Sequence, residues 1–67
     1  MLKRFEIVAH LLTWDVRHNQ VKVRSCHRKR EAIRVALTLG RLQKRMGDEA
    51  EIILRDRSGQ AQATRRL

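Results

Sequence analysis

The chain has 67 residues, enough for one small domain over 1–67, and a domain of that size buries only about 60% of the surface its unfolded form exposes. Sixteen Lys and Arg against seven Asp and Glu give a net charge of +9, and a single cysteine excludes an internal disulfide framework. With a core this thin and no disulfide, self-association is the expected support, as a homodimer or higher homo-oligomer.

In the first segment Phe5, Ile7 and Ala9 alternate with Arg4, Glu6 and Val8, and Trp14 and Val16 then alternate with Asp15 and Arg17. Both stretches read as half-buried strands. The first set occupies odd positions and Trp14 an even one, so a reversal or a bulge lies between Ala9 and Thr13. Two antiparallel strands are the preferred reading, with one long bulged strand as the alternative. His18-Asn19-Gln20 is a turn signal, since Asn tolerates the left-handed conformation. Val21 and Val23, alternating with Lys22 and Arg24, form the return strand.

A helix is predicted from about residue 28, with Ser25 as its upstream cap and Gly47 as its left-handed stop. On its wheel Arg30, Arg34, Arg41 and Arg45 fall within about a 60° arc, while Ala32, Val35, Ala36, Leu39, Leu42 and Met46 lie opposite. The helix is thus amphipathic, with its apolar set expected against the strands. Gly40, near the margin of that set, reads either as a point of close approach or as a tolerated defect. Ile52-Ile53-Leu54 marks a last strand over Glu51 to Arg55, and Asp56-Arg57-Ser58-Gly59 a turn. Residues 60–67 read as a short strand or a frayed basic tail. The predicted class is α+β: a small antiparallel sheet with one amphipathic helix packed on one face, in the order ββ(β)αβ.

Four short motifs add a resemblance. Trp14-Asp15-Val16, Glu31-Ala32-Ile33, Glu51-Ile52-Ile53-Leu54 and Asp56-Arg57-Ser58-Gly59 stand at matching points of that order, and in this the chain resembles the small bacterial proteins catalogued as a domain of unknown function, family 2188. The threonine that usually caps the family's helix is replaced in the neighbourhood of His27 and Arg28. What the resemblance implies is the ββαβ fold; it brings no activity and no cofactor.

The basic excess is uneven. Residues 1–46 hold twelve Lys and Arg against Glu6, Asp15 and Glu31, whereas residues 47–67 hold four of each sign. The candidate binding residues are therefore Arg24, Arg28, Lys29, Arg30, Arg34, Arg41 and Arg45. Cations at the helix start oppose the macrodipole, which costs about 0.3–1 kcal/mol per exposed charge. A bound anion relieves that cost, so its closest approach is expected at Arg28-Lys29-Arg30. With few aromatics to stack on bases, phosphate contact with little sequence specificity is the expected mode.

Chemistry is not expected. Cys26 and His27 are adjacent, with His10 and His18 elsewhere, and neighbouring side chains on a strand diverge rather than converge on a metal. No nucleotide-binding glycine loop and no nucleophile elbow appears, so no enzyme activity, metal or cofactor is predicted. Neighbouring arginines are expected to lower the Cys26 thiol and make it reactive. Trp14, in register with Val16, reads as core or subunit contact. The predicted function is a small oligomeric nucleic-acid-binding protein, for DNA or RNA. The alternative is a protein-interaction or accessory module whose basic face docks an acidic protein partner. Neither a leader pattern nor a membrane span is read, and the lone cysteine points to the cytoplasm.

Overall fold

The computed structural model describes residues 1–67. Alternation at the front of the chain becomes β1 (Leu2–His10) and β2 (Thr13–His18); β3 (Val21–Cys26), α1 (Lys29–Arg45), β4 (Glu49–Arg55) and β5 (Ala61–Arg66) follow. The five strands make one sheet in the order β3-β2-β1-β4-β5, and α1 lies across one face of it. This is the α+β class predicted, with residues 61–66 paired to β4 as a strand rather than frayed.

The phase change between Phe5 and Trp14 is a hairpin. His10 pairs with Thr13, so the reversal is the two residues Leu11-Leu12, and Leu11 takes a φ of 54°. No Gly is present to adopt it cheaply. The next reversal uses Asn19 and Gln20 at φ 52° and 65°, the all-positive pattern of a two-residue turn suited to strand twist.

One pairing departs from the antiparallel expectation. β1 and β4 run parallel, with Phe5 opposite Ile52 and Ile7 opposite Leu54, while the other pairs are antiparallel. Parallel neighbours need a long crossover. Here it is supplied by β2, β3 and α1, which carry the chain away from β1 and return it alongside.

The helix meets the sheet through small residues. Ala32, Ala36 and Gly40 are its buried positions, flanked by partly buried Ile33, Leu37, Val35 and Leu39. They close over Phe5, Ile7, Val16, Cys26 and Ile52. Leu42 and Met46, expected in the core, are 48% and 70% exposed. Leu42 sits about 120° round the helix from Ala36, and Met46 is already the C-cap. A Cβ at Gly40 would meet Leu67 Cδ1 at 2.6 Å and Ile52 Cδ1 at 3.3 Å, so Gly40 is a point of close approach.

The helix start differs from expectation too. Arg28 is the N-cap and makes no side-chain cap bond. Ser25 is still in β3, where its hydroxyl donates to Asp15 Oδ1 at 2.9 Å. The stop is as predicted: Gly47 has φ 93°, its N–H donates to the Lys44 carbonyl, and that of Asp48 donates to the Gln43 carbonyl. These two bonds satisfy carbonyls the last turn would leave open.

No helix covers the second sheet face. Instead Arg55 donates to Glu6 at 2.7 Å, Arg4 approaches Glu51 at 3.9 Å, and Arg66 bridges Glu49 at 3.3 Å and Glu51 at 3.9 Å. Asp15, 1% exposed, lies within this face and accepts from Thr13 as well as Ser25.

Candidate anion-binding face

Alternation in β3 turns Arg24 toward the helix side of the sheet, where it lines a groove with Arg34, Val35, Thr38 and Leu39. Arg28, Arg30 and Arg34 are all exposed and surround a second groove with Glu31 at the helix start. Arg41 and Arg45, also exposed, stand at the other end of α1. Six of the seven expected residues are thus available on one side of the molecule.

Lys29 is turned inward. It lies about 20° off the Ala36 direction on the wheel, and its ammonium sits 5.7 Å from the centre of the Trp14 ring, a cation–π contact. Arg57 approaches the same ring at 5.8 Å. Trp14 is half-buried against the core cluster, in keeping with a packing role. The three consecutive cations at the helix start are therefore two available ones and one engaged with an aromatic ring.

Two cations missed in the sequence join this side. Lys44 lies between Arg41 and Arg45, and Arg65 reaches the same place from β5. Lys44 falls outside the arginine arc, and the position of Arg65 follows only from β5 pairing beside β4. The signal available for Arg65 was the basic pair at 65–66, and its meaning depends on that pairing.

Charge on the helix side is uncompensated. Arg24, Arg28, Arg30, Arg34, Arg41, Lys44, Arg45 and Arg65 take part in no ion pair, and Glu31, also unpaired, is the acid that accompanies them. The other carboxylates are occupied elsewhere: Glu6, Glu49 and Glu51 on the opposite face, Asp15 with its two hydroxyls, Asp48 beside the N-terminal amine at 3.8 Å, and Asp56 in the β4–β5 turn.

Cys26 corrects an expectation. It is 2% exposed, and burial foremost, then the Glu31 and Asp15 carboxylates, push its thiol up, outweighing the lowering by Arg24. A thiol held protonated and covered is a poor nucleophile. No group of three or more His, Cys, Asp or Glu side chains comes together, and no helix is long and apolar enough to cross a membrane.

No protein-family model matches this chain, and no curated protein and no solved structure matches it either. The likeness to family 2188 thus rests on the four short motifs.

Proposed function

We propose that this is a nucleic-acid-binding protein that holds the phosphate backbone on its helix side, with little discrimination of sequence. The observation that supports this reading is the segregation of charge: most cations without carboxylate partners share the helix side, Arg17 and Lys22 on the open face being exceptions, while every acid but Glu31 is engaged on the other side or in turns. A polyanion replaces the missing partners and releases counterions as it binds. Arg suits this role, because its planar fork meets phosphate with paired donors. The α1 axis, at about 1.5 Å per residue over 17 residues, gives the face a length of about 25 Å.

Self-association belongs to the same proposal. Val21 and Val23 are 63% and 47% exposed on β3, an outer strand of the sheet, and an unpaired strand edge with apolar side chains favours pairing with another copy. The solution mass tests it.

A gel-shift series across salt tests the function. If about five cations neutralise phosphates, log K against log salt has a slope near −4 to −5 on duplex DNA. Replacing Arg34 and Arg41 by Glu collapses that affinity. Folded protein that shifts neither DNA nor RNA at low salt ends the reading, and loss of an acidic protein from a pull-down by the same variant then supports the docking alternative.

A further inference from the structure

The two ends of α1 are unequally equipped to hold an anion. At the start, Arg28, Arg30 and Arg34 line a groove of about 440 Å³ together with Glu31, whose carboxylate repels an incoming anion. At the other end a groove of about 480 Å³ runs between the last turns of α1 and the end of β5, lined by Arg41, Lys44, Arg45, Arg65, Arg66 and Leu67. No acid lines it. Arg66 forms part of the wall while its guanidinium holds Glu49 and Glu51; the other four cations have no carboxylate partner.

The helix dipole places about half a negative charge at this end, and that explains why Lys and Arg are tolerated there in such number. It does not repel a phosphate decisively, because Gly47 and Asp48 N–H groups already cap the last carbonyls and four full positive charges outweigh a partial one. The opposite end has the favourable dipole, but fewer available cations and an acid.

Local packing builds the second groove. The Leu67 N–H donates to the Ala50 carbonyl at 3.0 Å, and the Leu67 side chain occupies the space that a Cβ on residue 40 would need. Glycine at 40 therefore gives Leu67 its seat. Seated there, Leu67 fixes Arg65 beside Arg41 and Lys44, residues more than twenty positions earlier in the chain.

We infer that this groove is a phosphate-binding cleft, taking neighbouring phosphates of an extended chain, and that it anchors the basic face in place of the helix start. The source of those phosphates rests on the nucleic-acid reading above. An inorganic polyphosphate offers the same chemistry, and the experiment separates the two.

Tripolyphosphate is titrated at low salt into isotope-labelled full-length protein, and amide shifts are followed by NMR. The amides of Arg41, Lys44, Arg45 and Arg65 to Leu67 are expected to move most, and those of Arg28 to Arg34 less. Arg41→Gln with Arg65→Gln weakens binding by about tenfold or more, as loss of two charge-assisted contacts requires; Arg28→Gln with Arg30→Gln has the smaller effect. All four positions are exposed, so the variants keep the fold. A labelled oligonucleotide that binds with the same ranking of variants places nucleic acid in the cleft. An oligonucleotide that fails where tripolyphosphate binds removes the nucleic-acid reading and supports the cleft on its own. Unmoved amides at 41–45 and 65–67, or a larger loss from the Arg28 and Arg30 pair, overturns the cleft even when oligonucleotide binding is intact.

Discussion

The two faces of this sheet carry similar residue types and use them in opposite ways. On the open face Arg4, Arg55 and Arg66 interleave with Glu6, Glu49 and Glu51, all six in ion pairs, and Arg17 and Lys22 are the cations left without one. On the helix side Arg and Lys repeat with Glu31 as their lone acidic neighbour, itself unpaired. The net charge of +9 is therefore mostly a property of one side. What matters for a partner is which cations already have one, and cross-strand neighbours satisfy theirs before any ligand arrives.

Lifting the helix from the sheet removes the difference between the faces most severely. Ala36 is fully buried against the core, so Ala36→Leu forces a large side chain into filled space and costs about 1–3 kcal/mol. In a domain this small that lowers the melting temperature by about 4–24 °C, at roughly 4–8 °C per kcal/mol. Thermal unfolding by circular dichroism checks it. An unchanged melting temperature means the small-residue stripe is not the true contact.

A milder test works on charge alone. Glu51 lies 3.9 Å from the guanidinium groups of both Arg4 and Arg66, and its side chain is only 13% exposed, so Glu51→Gln removes one pairing site for two cations. The expected loss is about 1 kcal/mol, since such pairs lie at or near the surface. Arg45→Gln, on the helix side, breaks no pair and leaves stability within about 0.5 kcal/mol. Denaturant midpoints for the two variants should separate in that order. Equal losses would mean that the helix-side cations are structurally paired after all.

Much of the architecture was legible because it is written in local periodicity. Phe5, Ile7, Trp14 and Val16 announced two strands and the phase change between them; Asn19 announced a turn and Gly47 the helix stop. Parallel pairing of β1 with β4 was not legible, since alternation states which residues share a face and nothing about the direction of a distant neighbour. The sequence pattern displaces the helix's apolar centre, because Leu42 and Met46 weigh heavily on a hydrophobic scale while Ala32, Ala36 and Gly40 weigh little. Small residues nonetheless mark the closest approach. Of the binding face, the arginine stripe was visible in the sequence, but the cleft was not. It depends on β5 returning Arg65 to the helix and on Leu67 finding the gap at Gly40.

Turns at opposite ends of the sheet are held by different means and contribute the smallest effects. The β2–β3 turn relies on positive φ at Asn19 and Gln20. A glycine at the second position adopts that conformation without a Cβ penalty, so Gln20→Gly raises stability by about 1 kcal/mol. A lowered denaturant midpoint would mean that the Gln20 side chain contributes more than its backbone costs. The β4–β5 turn relies on a charge instead. Asp56 Oδ1 accepts from the Ser58 hydroxyl at 2.6 Å and from the Ser58 and Gln60 N–H groups at 2.9 and 3.1 Å. These bonds, the Ser58 hydroxyl foremost, hold its carboxyl below the ordinary 3.8. A carboxylate with a lowered folded pKa contributes its stability in full above the unfolded value, and that contribution fades as pH falls through the folded one. The Ser58 amide shift should therefore titrate with a midpoint below 3.8, and Asp56→Asn should abolish that titration while leaving the helix-side amides unmoved. A midpoint at or above the ordinary value would show that the carboxylate is not held by the turn, and that its negative charge is free to compete for the neighbouring Arg57.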